Sequence, residues 1–220
     1  MQTGQFDGVM LDWASSTQNT SLLSLLTKVR NAIGENGLII MNTNKNQFST
    51  DKLGLVNGAF MESGTLSTSA GWQAARAALD RNEIYTRTPR FNCLEAAFIN
   101  SRNDLNLMRA VTCLSLTHSN GLALFDDPNS LSTPDHLHDW YDPFWSDHNL
   151  GVPTGTYYKY PNPTTGPADR RDFKNGSAIY NEQGHAAITV TFSEMRTNLA
   201  TGARGTTFKL NGNDGGIYLY

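Results

Sequence analysis

Cysteine is nearly absent from this 220-residue chain. Its two copies, Cys93 and Cys113, are too few for a disulfide framework or a four-cysteine zinc site. Charge is sparse as well. Asp, Glu, Lys and Arg make up 17% of the residues, against roughly 25% in an average globular chain. Lys plus Arg is 17 and Asp plus Glu is 20, for a formal net charge of −3. Phosphate neutralisation needs clustered cations, so nucleic acid is excluded as the main partner. No apolar run reaches the roughly 18 residues of a membrane span, and no membrane partner is expected. No basic-plus-apolar leader opens the chain. Gly-rich phosphate loops and a serine nucleophile elbow are missing too. Gly212-Asn213-Asp214-Gly215-Gly216 reads as a turn, because no strand-to-helix switch surrounds it.

What is present is an ample core and an unusual supply of neutral polarity. Apolar residues make up 39% and aromatics 10%, which excludes intrinsic disorder. Asparagine alone occurs 21 times. The length suits one domain, or one with a small appendix.

The first half alternates between two textures. Phe6 to Asp12 reads as a short strand that ends in a carboxylate. Leu22, Leu25, Leu26, Val29 and Ile33 follow at helical spacing, with Gly34 as the stop. Gly37 to Met41 is a second strand, ending in Asn42 and Asn44. Ala59 to Glu62 is a third. Ser69 is placed to cap a helix carrying Trp72, Ala75, Ala78 and Leu79. Phe91 to Phe98 is a fourth strand and contains Glu95. Asp104 caps a helix with Leu107, Met108, Val111 and Leu114. Leu122 to Phe125 is a fifth strand, closed by Asp126 and Asp127. Strands that are apolar without alternation are expected to be buried on both faces of a parallel sheet.

From about Asp135 the texture changes. An aromatic, acidic connector includes Trp140, Tyr141 and Trp145. Beyond Gly151 come β-type segments at Ser177 to Asn181, Ala186 to Phe192, Gly205 to Leu210 and Gly215 to Tyr220, which read as a small antiparallel sheet. The expected division is residues 1–148 as an α/β domain with its connector, and residues 149–220 as a carboxy-terminal β-domain.

Parallel β/α folds bind ligands at the carboxyl ends of their strands, where the βα loops open. Asp12, Asn42, Asn44, Glu62 and Asp126 fall at such ends, and Glu95 lies in or near one. For Asp126, Asp127 and Glu95 a turn or capping role is a strong competing account. Asp12 and Glu62 each abut an apolar strand, which favours a functional reading. Two carboxyl groups facing one cleft are the minimum equipment for glycosidic bond cleavage. One donates a proton to the leaving oxygen, and the other attacks or stabilises the developing cation or activates a water. Trp13 and Trp140 could stack on the apolar faces of sugar rings, and packing between layers is the competing account.

The order of these elements resembles glycoside hydrolases built on a (β/α)8 barrel. Phe6 to Asp12 looks like their fourth strand, Gly37 to Asn42 the fifth, and Phe60-Met61-Glu62 the sixth. Asn92 to Glu95 looks like the seventh and Leu122 to Asp126 the eighth. Trp140-Tyr141, Leu150 to Gly155, Arg171 to Gly176 and Gly215 to Leu219 extend the likeness over nearly the whole chain. The group it is most similar to is the hypothetical glycosyl-hydrolase family fifteen. The resemblance implies the C-terminal part of a TIM barrel, strands four to eight, followed by a small antiparallel β-domain. The first three strands would be missing, so the chain would be a fragment of a longer parent, and a secreted parent is compatible with this start. Open sheet edges would favour association.

The same resemblance implies that Asp12 is the nucleophile or base and Glu62 the acid. Asn42, Asn44 and Glu95 would then bind substrate, together with Trp13, Asp126 and Trp140. The partner would be a poly- or oligosaccharide, and no cofactor is required. Two alternatives differ in class. A carbohydrate-binding protein would keep the aromatics and amides without needing two ionisable groups. A metal hydrolase would use His136 and His138 with nearby aspartates, although no His-Glu-x-x-His pattern occurs. His118 and His185 stand alone and read as structural.

Overall fold

A computed structural model of the chain describes residues 7–12, 20–44, 48–63, 66, 68–97, 103–121, 123–127, 137–139, 141 and 150–220. Five strands alternate with helices in chain order: β1 (Gly8–Leu11), α1 (Thr20–Ile33), β2 (Leu38–Asn42), α2 (Thr50–Leu53), β3 (Gly58–Glu62), α3 (Ser69–Tyr85), β4 (Cys93–Ala97), α4 (Leu105–His118) and β5 (Ala123–Asp127). A three-residue strand, β6 (Leu137–Asp139), follows. Strands β1 to β5 pair in parallel with each chain neighbour, and β6 turns back antiparallel on β5. The rest of the chain forms a second sheet from β7 (Tyr158–Tyr160), β8 (Ala168–Phe173), β9 (Gly176–Asn181), β10 (Ile188–Asn198), β11 (Arg204–Leu210) and β12 (Asp214–Leu219). Its order is β11-β10-β12-β9-β8-β7, antiparallel throughout.

Local chemistry accounts for several element ends. Helix α3 begins at Ser69, and its capping side chain is Thr68, which accepts from the Gly71 N–H. Asp104 caps α4 as its position suggests, accepting from the Leu107 N–H at 3.0 Å. Asparagine ties neighbouring strands together at their starts. Asn57 Oδ1 accepts from the Ile39 N–H at 3.1 Å, and Asn92 Oδ1 accepts from the Ala59 N–H at 3.0 Å. Gly121 is required for a close approach, since a Cβ there would sit 1.5 Å from the Asn92 carbonyl oxygen.

This architecture corrects the expectation of a TIM-barrel fragment. In a barrel the last strand pairs in parallel with the first, so the sheet has no edge. Here the far edge of β5 is taken by antiparallel β6, and β1 pairs only with β2 among the described residues. A barrel interior is also a packed core. The residues that would face it are half-exposed at Ile40, Phe60 and Glu62, and Met10 is exposed. Burial instead alternates over Leu38–Met41 and Ala59–Glu62, with Ile39, Met41, Ala59 and Met61 buried on the opposite face. The apolar runs concealed that alternation because residues on both faces are hydrophobic.

Helix α4 supplies a further departure. It packs more extensively on β12 and β9 than on the parallel sheet. Nine of its residues are buried, from Met108 to His118, as expected of a helix enclosed on several sides. The largest core cluster therefore joins Met61 and Leu94 of the first sheet, Trp72 and Leu79 of α3, Val111 and Leu114 of α4, and Tyr180 and Ile217 of the second sheet. Tyr141 of the aromatic connector is buried in this cluster. A second cluster fills the space under α1 and α2, and a third lines the antiparallel sheet.

Candidate functional site

The carboxyl ends of β1, β2 and β3 bring three of the singled-out side chains into contact. Parallel register pairs Leu11 with Met41, and Asn42 with Phe60. Asp12 is therefore the next residue along β1, level with Asn42, while Glu62 lies two residues beyond Phe60 on the same face of β3. The side-chain amide of Asn42 spans the gap. Its Nδ2 donates to Asp12 Oδ1 at 2.9 Å and to Glu62 Oε1 at 2.8 Å. The two acidic oxygens can be no farther apart than those two hydrogen bonds laid end to end.

The amide's orientation follows from its other contact. The Asn44 N–H donates to Asn42 Oδ1 at 2.8 Å. The oxygen must face that donor, so the NH2 group must face the carboxylates. Asn44 reaches this position with φ at 52°. Asparagine tolerates that left-handed conformation better than most residues. Asn44 thus acts on the site through its backbone. Thr43 fixes the same turn by donating its N–H to the Phe60 carbonyl at 2.8 Å.

Glu95 is in register with Glu62 on the neighbouring strand, so both belong to one face of the sheet. It is buried, at 3% exposure. Ser63 reinforces that junction by donating its hydroxyl to the Glu95 carbonyl at 2.7 Å. The three acidic residues of the rim therefore grade from an exposed Asp12 through a half-buried Glu62 to a buried Glu95, with the buried Asn42 between the first two.

The remaining candidates fall elsewhere. Asp126 pairs through its backbone with Ala97 and His138. Trp13, Trp140, Trp145 and His136 lie outside the described residues. Among the described residues no group of three or more His, Cys, Asp or Glu could hold a metal ion.

A second polar cluster escaped the sequence reading. His118 is buried between Asp80 of α3 and Asp169 of β8. These residues are 38 and 51 positions from the histidine, and no local pattern links them.

No protein-family model matches the chain, and no curated protein matches it.

Proposed function

We propose that this chain acts on carbohydrate, cleaving O-glycosidic bonds of a poly- or oligosaccharide with Asp12 and Glu62. The observation that carries this reading is the Asn42 bridge, which holds the two carboxyl groups on one rim. Glu62, the more sheltered of the two, takes the role of proton donor to the leaving oxygen. Exposed Asp12 takes that of the nucleophile. The spacing suits a covalent route, in which the pair stands about 5–5.5 Å apart, better than the roughly 6.5–9.5 Å that leaves room for an attacking water. Glu95 and the half-exposed face around Phe60 would position the sugar, with Asn44 holding the Asn42 amide from behind. The proposal rests on the site, since a fold by itself does not fix an activity.

The test is turnover of aryl glycosides and polysaccharides by the purified protein and by Asp12→Asn and Glu62→Gln. Loss of one carboxyl group should lower turnover by about 10²–10⁴-fold, the usual contribution of such a group, with sugar binding retained. Sugar binding without turnover in the unmodified protein would make it a binding protein. Turnover unchanged in both variants would remove the two carboxyl groups from the chemistry.

A further inference from the structure

We infer that His118 is a proton-operated latch joining the helices on the parallel sheet to the antiparallel sheet. The ring is fully buried, and both of its nitrogens face carboxylate oxygens. Nδ1 lies 2.8 Å from Asp80 Oδ1, and Nε2 lies 3.3 Å from Asp169 Oδ2. A neutral imidazole carries one N–H and one lone pair. Only the doubly protonated ring can donate to both partners. Removing one proton leaves a lone pair against a carboxylate oxygen, in a site with little water to relieve it.

The three partners belong to three different elements, so the proton ties α3, α4 and β8 together. Each neighbouring element also contributes charge. From α3, Arg76 lies 3.6 Å from Asp169 and also pairs with Glu182 just beyond β9. From β7, Lys159 Nζ lies 2.7 Å from Asp169 Oδ1. Ahead of β7, the Tyr157 ring packs on the imidazole at 4.0 Å between centroids, and its hydroxyl donates to Asp80 Oδ2 at 3.1 Å. Glu83 and Arg171 face the same space from α3 and β8. His118 also ends α4, where the helix dipole favours a cation.

Burial works against the charged ring, and hydrogen bonds to Asp169 and Asp80 overcome it, so the His118 pKa is raised. A cavity of about 530 Å³ lies beside the cluster and is lined by Asp80, Tyr157 and Asn120. Asp80, at 32% side-chain exposure, borders that cavity, so a local opening on its side gives the proton a way out. The sign follows from linkage. The latch is fully closed below the ordinary histidine value of about 6.5 and is lost as pH rises through the raised value. Within that window its contribution falls about tenfold per pH unit. The site lies at the carboxyl ends of α3 and α4, away from the Asp12–Glu62 rim, so the inference does not depend on the proposed reaction.

Imidazole nitrogen NMR on the intact chain, paired with hydrogen exchange, tests it. The ring should titrate with a midpoint above the ordinary value of about 6.5, and both nitrogens should carry protons below it. Corrected for intrinsic rates, exchange in residues 157–171 should accelerate by about tenfold per pH unit inside the window, while β2 does not. Asp80→Asn, at the half-exposed end, should lower the midpoint and retain the fold. His118→Gln, where it folds, should abolish the pH-dependent acceleration. A midpoint at or below the ordinary value would overturn the inference. So would a raised midpoint with no pH-dependent opening of residues 157–171.

Discussion

Arg109 on α4 grips Asp214 at the start of β12. Its Nη2 lies 2.7 and 2.9 Å from the two carboxylate oxygens, and its Nε lies 3.0 Å from one of them. The Nε also donates to the Gly215 carbonyl at 2.8 Å. Both side chains are largely buried, at 13% and 10% exposure. Burial acts to lower the Arg109 pKa, and the Asp214 carboxylate more than offsets this. Asp214→Ala would strand the guanidinium between helix and sheet. The expected cost is about 3–5 kcal/mol, the usual result of breaking a buried pair from one side. Urea titration of the variant measures it. The double variant Arg109→Met with Asp214→Leu should lose less than Asp214→Ala alone, because no buried charge is left unpaired.

The same seam depends on the absence of a side chain. A Cβ at Gly215 would lie 2.5 Å from the Arg109 carbonyl oxygen and 2.6 Å from Cys113 Sγ. The carbonyl belongs to the helix backbone, so relief requires α4 to move off β12. Gly215→Ala should destabilise by about 1–3 kcal/mol through overpacking. It should also expose the buried Cys113 thiol to a thiol reagent at native pH. A variant with an unchanged unfolding midpoint and an unreactive Cys113 would contradict this packing.

Acid sensitivity should arise in the antiparallel sheet. Asp172 accepts from Ser177 Oγ at 2.6 Å, Tyr158 Oη at 2.8 Å and Arg170 Nε at 2.9 Å. Burial works to raise its pKa, but these donors prevail and the net shift is downward. A lowered folded pKa means stability present above the unfolded carboxyl value of about 3.9 and lost as pH falls through the folded value. Stability should thus decline below about pH 4, and Asp172→Asn should flatten that decline. Urea midpoints between pH 6 and pH 2 provide the comparison. The Tyr158 hydroxyl, pushed up to about 12 by burial and by its bond to Asp172, should titrate earlier in the variant.

The contrast between legible and illegible parts has a physical basis. Strands β1 to β5 and helices α1, α3 and α4 announce themselves through apolar runs, helical spacing and a cap such as Asp104. The rim was legible because Asp12, Asn42 and Glu62 directly end those runs. Strand β8 was not, because its sequence is Ala-Asp-Arg-Arg-Asp-Phe. Asp169 and Arg171 are buried there against His118 and Ser119, more than fifty positions away in the chain, and polarity alone reads as exposed. Open or closed sheet geometry was hidden for a similar reason. It turns on β6, three residues pairing antiparallel with β5, and such a short strand leaves no periodic signal. Asn42 was singled out as a sugar contact. Its role as a bridge depends on strand register, which the residue types along one strand do not encode.

That bridge makes its own prediction. Asn42 is buried at 3% exposure and uses its amide NH2 on both acidic neighbours. Asn42→Asp keeps the shape and removes both donors, setting a third carboxylate against the other two. Two hydrogen bonds are lost, and the like charges repel. The expected loss at pH 7 is about 1–3 kcal/mol, read from urea midpoints. Near pH 4 carboxyl groups take up protons, and a protonated Asp at this position regains a donor. The deficit should therefore shrink on acidification, while that of Asn42→Ala, which titrates nothing, should change less. Equal stability of Asn42→Asp and the unmodified protein at pH 7 would mean that the amide does not hold Asp12 and Glu62 together, and the paired-carboxyl reading of the rim would fall with it.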